Sequence, residues 1–147
     1  MKKVIIALGL MAITFGSTAI ASDKEIDKTV QQAFNKEFAG AADVQWHTSD
    51  QYVQVEFTFN SMRLVAYYNN EGETLAVVRN IYFSSLPLAL QMDLKKIDKG
   101  YWITQICEVT THDETQYRVT LDSAEKTIQL SSNGISGWEV IKKEVKQ

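Results

Sequence analysis

His47 and His112 are the side chains of this chain best suited to proton transfer or metal ligation, and each stands just ahead of an acidic turn. Asp50 follows the first, and Asp113 and Glu114 follow the second. Imidazole with carboxylate ligates zinc, and oxygen-rich turns take calcium. The spacing speaks against both, because there is no EF-hand loop and no pair of histidines at helical spacing. Asp and Glu are also ordinary turn formers. Calcium or small-ligand sensing at the hairpin-turn carboxylates is therefore the second reading of function, not the first. Cys107 is the only cysteine, so no intramolecular disulfide can form. It lies within the strand-like run Ile103-Thr104-Gln105-Ile106-Cys107-Glu108-Val109, with no adjacent cation or base to activate a thiolate, and reads as a small buried hydrophobe. Gly-x-Ser-x-Gly, Walker and dinucleotide-binding patterns are all missing from the sequence. The expectation is a protein that is not an enzyme and carries no cofactor.

A different chemistry is available at alternate positions of strand-like segments. Tyr52, Gln54, Glu56, Arg63, Val65 and Tyr67, with Glu108, Arg118, Thr120, Thr127 and Gln129, fall where a sheet face opposite the helices should lie. Tyr and Arg on a mixed polar surface are the residues that protein interfaces favour. A face of this breadth would supply a standard interface of roughly 800 Å² per partner. Tyr52, Arg63 and Tyr67 are the expected partner-binding residues.

The elements that would hold this face follow from periodicity. Ile26, Val30, Ala33, Phe34 and Phe38 recur at helical spacing, with Asp23 as cap and Gly40 beyond the end, which predicts a helix over 24–38. Alternation then replaces it. Val44 and Trp46 oppose Gln45 and His47, and Val53, Val55, Phe57 and Phe59 alternate with Tyr52, Gln54, Glu56 and Thr58. Trp46 therefore belongs to the core. Strands over 62–69 and 74–83 flank Asn70-Glu71-Gly72-Glu73, a hairpin-turn sequence. Ser84-Ser85-Leu86-Pro87 opens a second helix whose Leu86, Leu90, Leu94 and Ile97 share a face and which Gly100 ends. Four further strands are predicted over 101–111, 115–122, 125–132 and 137–145, two of them beginning at Trp102 and Trp138.

Residues 34–79 and 98–143 thus read as two versions of one unit. Helix and strands of one unit cannot bury their apolar face alone, so two copies, about 24–83 and 84–147, share a core. The expected class is α+β: two tandem helix-plus-four-strand repeats forming one antiparallel sheet with helices packed on one face.

Met1-Lys2-Lys3, the apolar stretch Val4 to Phe15 and the small-residue pattern Ala19-Ile20-Ala21 before Ser22-Asp23 have the form of a secretory signal peptide over 1–21. The apolar stretch is shorter than the roughly 20 residues that cross a bilayer. A periplasmic or secreted protein, not membrane-embedded, is expected. About 126 residues follow, enough for a single domain over 22–147. Loss of Lys2 and Lys3 takes the formal net charge from −3 to about −5, which disfavours nucleic acid and anionic membrane as partners. A partner protein of the cell envelope or exterior is the expectation, and an open sheet with free edges also leaves room for a homodimer.

Phe34 and Phe38 in the helix, Gly40-Ala41, Val44-x-Trp46, the Val53, Val55, Phe57 alternation after Tyr52, Ala66-Tyr67, Glu71-Gly72-Glu73-Thr74-Leu75, Arg79 and Leu86-Pro87 occur in an order that resembles the PepSY-like, beta-lactamase-inhibitor-like family of small exported bacterial proteins. The resemblance covers the whole of 22–147. It implies a PepSY-like domain of beta-lactamase inhibitor protein-like architecture, whose open sheet face clasps a partner protein such as an enzyme. Its motifs are structural, so it carries over no inhibitory residue and does not name the target. The second copy departs from the first where Trp138 stands in place of the smaller residues near Leu75.

Overall fold

The computed structural model describes residues 25–97, 99–135 and 137–147; the signal-peptide pattern and Asp23 lie outside them. The elements run α1 (Lys28–Glu37), β1 (Ala42–Thr48), β2 (Val53–Phe59), β3 (Met62–Tyr68), β4 (Thr74–Asn80), a 3-10 turn (Phe83–Ser85), α2 (Leu88–Ile97), β5 (Trp102–Thr110), β6 (Thr115–Asp122), β7 (Lys126–Ser132) and β8 (Glu139–Val145). All eight strands form one sheet in sequence order, each antiparallel to the next. No described helix is long and apolar enough to cross a membrane.

Local chemistry sets the boundaries. Helix α1 begins later than its apolar spacing suggests, because Asp27 caps it: the Thr29 backbone N–H donates to Asp27 Oδ1 at 2.7 Å. That hydrogen bond also holds the Asp27 carboxyl below its ordinary range. Helix α2 likewise starts at Leu88, with Ser84 and Ser85 in the preceding 3-10 turn and the Pro87 carbonyl accepting from Gln91 N–H at 3.1 Å. Serine closes two of the hairpins in the same way. Ser49 Oγ accepts from the N–H groups of Gln51 and Tyr52, and Ser123 Oγ accepts from those of Glu125 and Lys126. In the β3–β4 turn, Asn69 Oδ1 accepts from Glu71 and Glu73 N–H, and Gly72 adopts φ +84°. A Cβ on Gly72 would stand 3.1 Å from the Thr29 carbonyl oxygen, so glycine lets this turn approach α1.

Both helices lie on the same face of the sheet. Val30 and Phe34 of α1 pack on Val53, Val55, Phe57, Leu64, Ala66 and Tyr68. Phe34 meets Trp46 and Phe57 edge-on at 5.2 and 4.9 Å. Leu86 and Leu94 pack on Ile106, Val119, Leu121 and Leu130. Register makes these two clusters coplanar: Ala66 pairs with Val77 and Val77 with Thr110, and the two-residue period sets Ile106 on the same side as Thr110. At the end of α1, Glu37 Oε2 accepts from Tyr68 Oη at 2.9 Å and Thr74 Oγ1 at 2.7 Å, tying the helix to β3 and β4. Trp138, just ahead of β8, donates its indole N–H to the Leu90 carbonyl at 3.1 Å and so anchors to α2. Strand β8 forms one edge of the sheet and is exposed throughout.

Candidate functional site

No described helix crosses the other face of the sheet, and its middle is apolar. Val65 and Tyr67 of β3, Ala76 and Val78 of β4, and Cys107 and Val109 of β5 are buried there as one cluster, with Tyr52 and Leu75 packed against it. Direct cross-strand pairing aligns them: Tyr67 with Ala76, Val65 with Val78, Val78 with Val109. Polar side chains occupy the strands on either side. His47, Gln54, Glu56 and Arg63 stand on the β1–β3 side, and Gln116, Arg118, Thr120, Gln129 and Ser131 on the β6–β7 side, as the register requires.

Glu56 organises the first of these groups. Its Oε1 accepts from Gln54 Nε2 at 3.1 Å, its Oε2 accepts from Arg63 Nη2 at 3.1 Å, and His47 Nε2 stands 3.7 Å from Oε1. Arg63 is exposed and thereby oriented along the face. Tyr52 is half-buried, its ring edge-on to that of Tyr67 at 5.6 Å. Tyr67 is 2% exposed. The expectation that it presents an accessible ring is therefore corrected: Tyr67 belongs to the apolar floor and Tyr52 stands against it. Burial, with Tyr52 and Glu56 adding, pushes the Tyr67 hydroxyl up to about 12.

Arg63 bonds Glu56 and Tyr52 packs on Tyr67, and the structure also brings in residues that alternation alone did not rank. Cys107 and Val109 join the floor from β5, and burial pushes the Cys107 thiol up to about 11, the opposite of what a nucleophile needs. Glu108 is a second correction. It lies on the helix side, where it holds Arg79. Continuous apolarity at Leu64-Val65-Ala66-Tyr67-Tyr68 was the available signal that β3 is buried on both faces.

The histidines are far from equivalent. His47 is inside β1 on the open face, whereas His112 follows β5 and lines a cleft at the end of the β4–β5 ladder. Among the described residues, no group of three or more His, Cys, Asp or Glu side chains is placed to hold a metal ion. Glu114 at the second turn accepts from Gln116 Nε2. Trp102 is 57% exposed at the start of β5.

No family model matches the chain, and no curated protein matches it significantly. Solved structures match its fold over most of its length. A BLIP-like protein from Bacteroides fragilis superposes with TM-score 0.71 at 13% identity, over 84% of this chain and 89% of that one. A DUF2874 family protein from Bacteroides ovatus gives 0.72 at 14% identity, over 83% and 89%. A protein of Bacteroides eggerthii, provisionally described as periplasmic, gives 0.73 at 13% identity, over 83% and 90%. The shared feature is the BLIP-like fold: one open eight-stranded antiparallel sheet with helices on one side.

Proposed function

We propose that this chain is an exported, non-enzymatic protein-binding module that grips its partner on the open face of the sheet, in the manner of an inhibitor. One observation carries the reading. On the face without a helix, exposed Arg63 and half-buried Tyr52 stand with a hydrogen-bonded polar group over six buried apolar residues of β3, β4 and β5. The six floor residues are closed to water, so contact falls to the Tyr, Arg, Gln and Glu side chains above them, a mixed polar surface of the kind in which protein interfaces favour Tyr and Arg.

Tyr52 and Arg63 are the contact residues of this reading, and Tyr67 supports Tyr52 from beneath. Tyr and Arg give up little conformational entropy when already held, and both are held, by Tyr67 and by Glu56. Export is supported by the signal-peptide pattern of residues 1–21 and by the provisional periplasmic description of the Bacteroides eggerthii neighbour. The partner is a protein of the envelope or exterior, an enzyme being the kind that a BLIP-like face would suit.

The test starts from capture of a partner from periplasmic extract on the immobilised exported protein, followed by binding measurements with the purified pair. Tyr52→Ala and Arg63→Glu should each weaken binding about tenfold or more. Gln32→Lys, on the exposed side of α1, should leave it unchanged. Equal binding by both open-face variants, or loss of binding in the helix variant alone, would overturn the assignment.

A further inference from the structure

The ladder between β4 and β5 pairs Val77 with Thr110, Val78 with Val109, Arg79 with Glu108 and Asn80 with Cys107, and then stops. Strand β4 itself continues back to Thr74, still paired to β3 at Tyr68. Beyond Thr110 the chain turns toward β6, where Thr111 N–H donates to the Glu114 carbonyl at 2.9 Å. The same register would set Leu75 opposite His112. Instead the two strands part, and the split opens a cleft of about 620 Å³ that Glu37, Glu73, Leu75, Val77, Thr110 and His112 line. That volume is within the range of small-ligand sites, roughly 300–1,000 Å³. Val77 and Thr110 lie on the helix side of the sheet, whereas Leu75 and Ala76, which also line the cleft, pack with the open-face cluster, so the cleft sits in the split where the two faces meet.

Its chemistry is one-sided. Glu37 is fixed at the rim by the hydrogen bonds that its Oε2 accepts from Tyr68 and Thr74, and the Glu73 carboxylate is held by Asn69 Nδ2 at 2.7 Å. Leu75 and Val77 give the cleft an aliphatic strip, and no Lys or Arg is among its lining residues. Pre-oriented carboxylates beside an apolar strip complement a cation carried on an alkyl chain. We propose that this cleft binds an organic cation, an ammonium or guanidinium on a short aliphatic stem, with the stem on Leu75 and Val77 and the charge at Glu37 and Glu73. A lysine or arginine side chain of a polypeptide and a free diamine share that chemistry.

The experiment titrates the isotope-labelled exported protein with 1,5-diaminopentane, with N-acetyl-lysine methylamide and with the neutral norleucine analogue of the latter, following amide resonances. Saturable shifts at Leu75, Val77 and Thr110 with either cation, and none with the neutral analogue, are expected in the millimolar range or tighter. Glu37→Gln keeps an acceptor for Tyr68 and Thr74 while removing the charge, and should weaken binding about tenfold. Thr110→Arg should fill the cleft with its own guanidinium and abolish binding, and it decides the matter if the first variant does not fold. Binding of the diamine alone supports a free polyamine, and binding of the lysine derivative alone supports a polypeptide side chain. Equal shifts with the neutral analogue, no saturation with either cation, or unaltered binding by Thr110→Arg would overturn the proposal.

Discussion

Arg79 grips Glu108 with two prongs across the β4–β5 seam: its Nε donates to Oε1 at 2.8 Å and its Nη2 to Oε2 at 3.3 Å. The two residues are direct cross-strand partners, in a ladder of only four pairs among the described residues. This seam joins the half of the sheet under α1 to the half under α2. A bidentate geometry fixes strand register as well as adding attraction, and here it does so where the backbone ladder is shortest.

The ion pair should accordingly couple measurably but modestly, because the Arg79 side chain is 42% exposed. A double-mutant cycle of Arg79→Ala and Glu108→Ala, followed by urea unfolding, should give a coupling of about 0.5–1 kcal/mol. Added salt should reduce it. A coupling indistinguishable from zero at low salt would mean that the seam is held by its backbone bonds alone.

Alkaline stability should fall in two stages because of the open-face floor. Burial pushes the Cys107 thiol up to about 11, with Arg118 opposing, from an ordinary value of 9.0. It pushes the Tyr67 hydroxyl up to about 12 from 10.0. Both groups are neutral in the fold and ionise earlier in the unfolded chain. Their contribution is therefore complete below the unfolded values and is lost as pH rises through the folded ones. Denaturation midpoints measured from about pH 8 to pH 12 should decline; Cys107→Ala should remove the earlier part of the decline and Tyr67→Phe a share of the later part, the rest belonging to the Tyr68 hydroxyl, which burial also pushes up. A profile flat to the upper end would contradict the burial of these groups.

Tyr68→Phe should test the tie between α1 and the sheet. The phenol O–H donates to Glu37 at 2.9 Å, and Tyr68 is otherwise fully buried against Phe34. Removing the hydroxyl keeps the ring contacts and deletes one hydrogen bond to a charged group, a cost of about 1.5–3 kcal/mol before discounting for the exposure of Glu37. We expect about 1 kcal/mol, or a fall of a few degrees in thermal midpoint. Thr74→Val should produce a smaller loss, since its hydroxyl is the more exposed of the two donors. If Tyr68→Phe is neutral, Glu37 does not tether the helix.

Much of this architecture is legible in the residues, and the failures have physical reasons. Strand β2 can be read because Val53, Val55 and Phe57 face a helix while Gln54 and Glu56 face away, so burial and alternation agree. In β3 they disagree: Leu64 to Tyr68 are all buried, since the sheet centre excludes water on both faces, and a rule based on period two wrongly exposes Tyr67. Strand β5 offers Ile106 with Glu108 on one side and Cys107 with Val109 on the other. Each pair contains an apolar residue, so alternation alone cannot say which side Glu108 takes, and only the pairing to Arg79 does. Choosing between Asp23 and Asp27 as the cap of α1 depends on where a carboxylate meets a backbone N–H, which spacing does not encode. The cleft at Leu75 and His112 is invisible for a related reason, because the end of a ladder is a tertiary event.

The β2–β3 hairpin offers a change that should stabilise the fold without touching either proposed surface. Phe59 pairs with Met62 across a two-residue turn, and both turn residues, Asn60 and Ser61, adopt positive φ, at 49° and 62°. That is the backbone of a type I′ turn, whose twist matches that of the strands and whose second position favours glycine. Asparagine tolerates the left-handed region through its short polar side chain, whereas serine has no such advantage and carries steric strain there. Ser61→Gly relieves that strain but also loosens the unfolded chain, so two effects of opposite sign compete. The relief should win at this position, because the left-handed penalty of roughly 1–2 kcal/mol exceeds the entropic cost of about 0.5–1 kcal/mol. The expected outcome is a gain of about 0.5 kcal/mol in urea unfolding with unchanged partner binding. Destabilisation by Ser61→Gly would show that the serine hydroxyl, and not the backbone conformation, decides this turn.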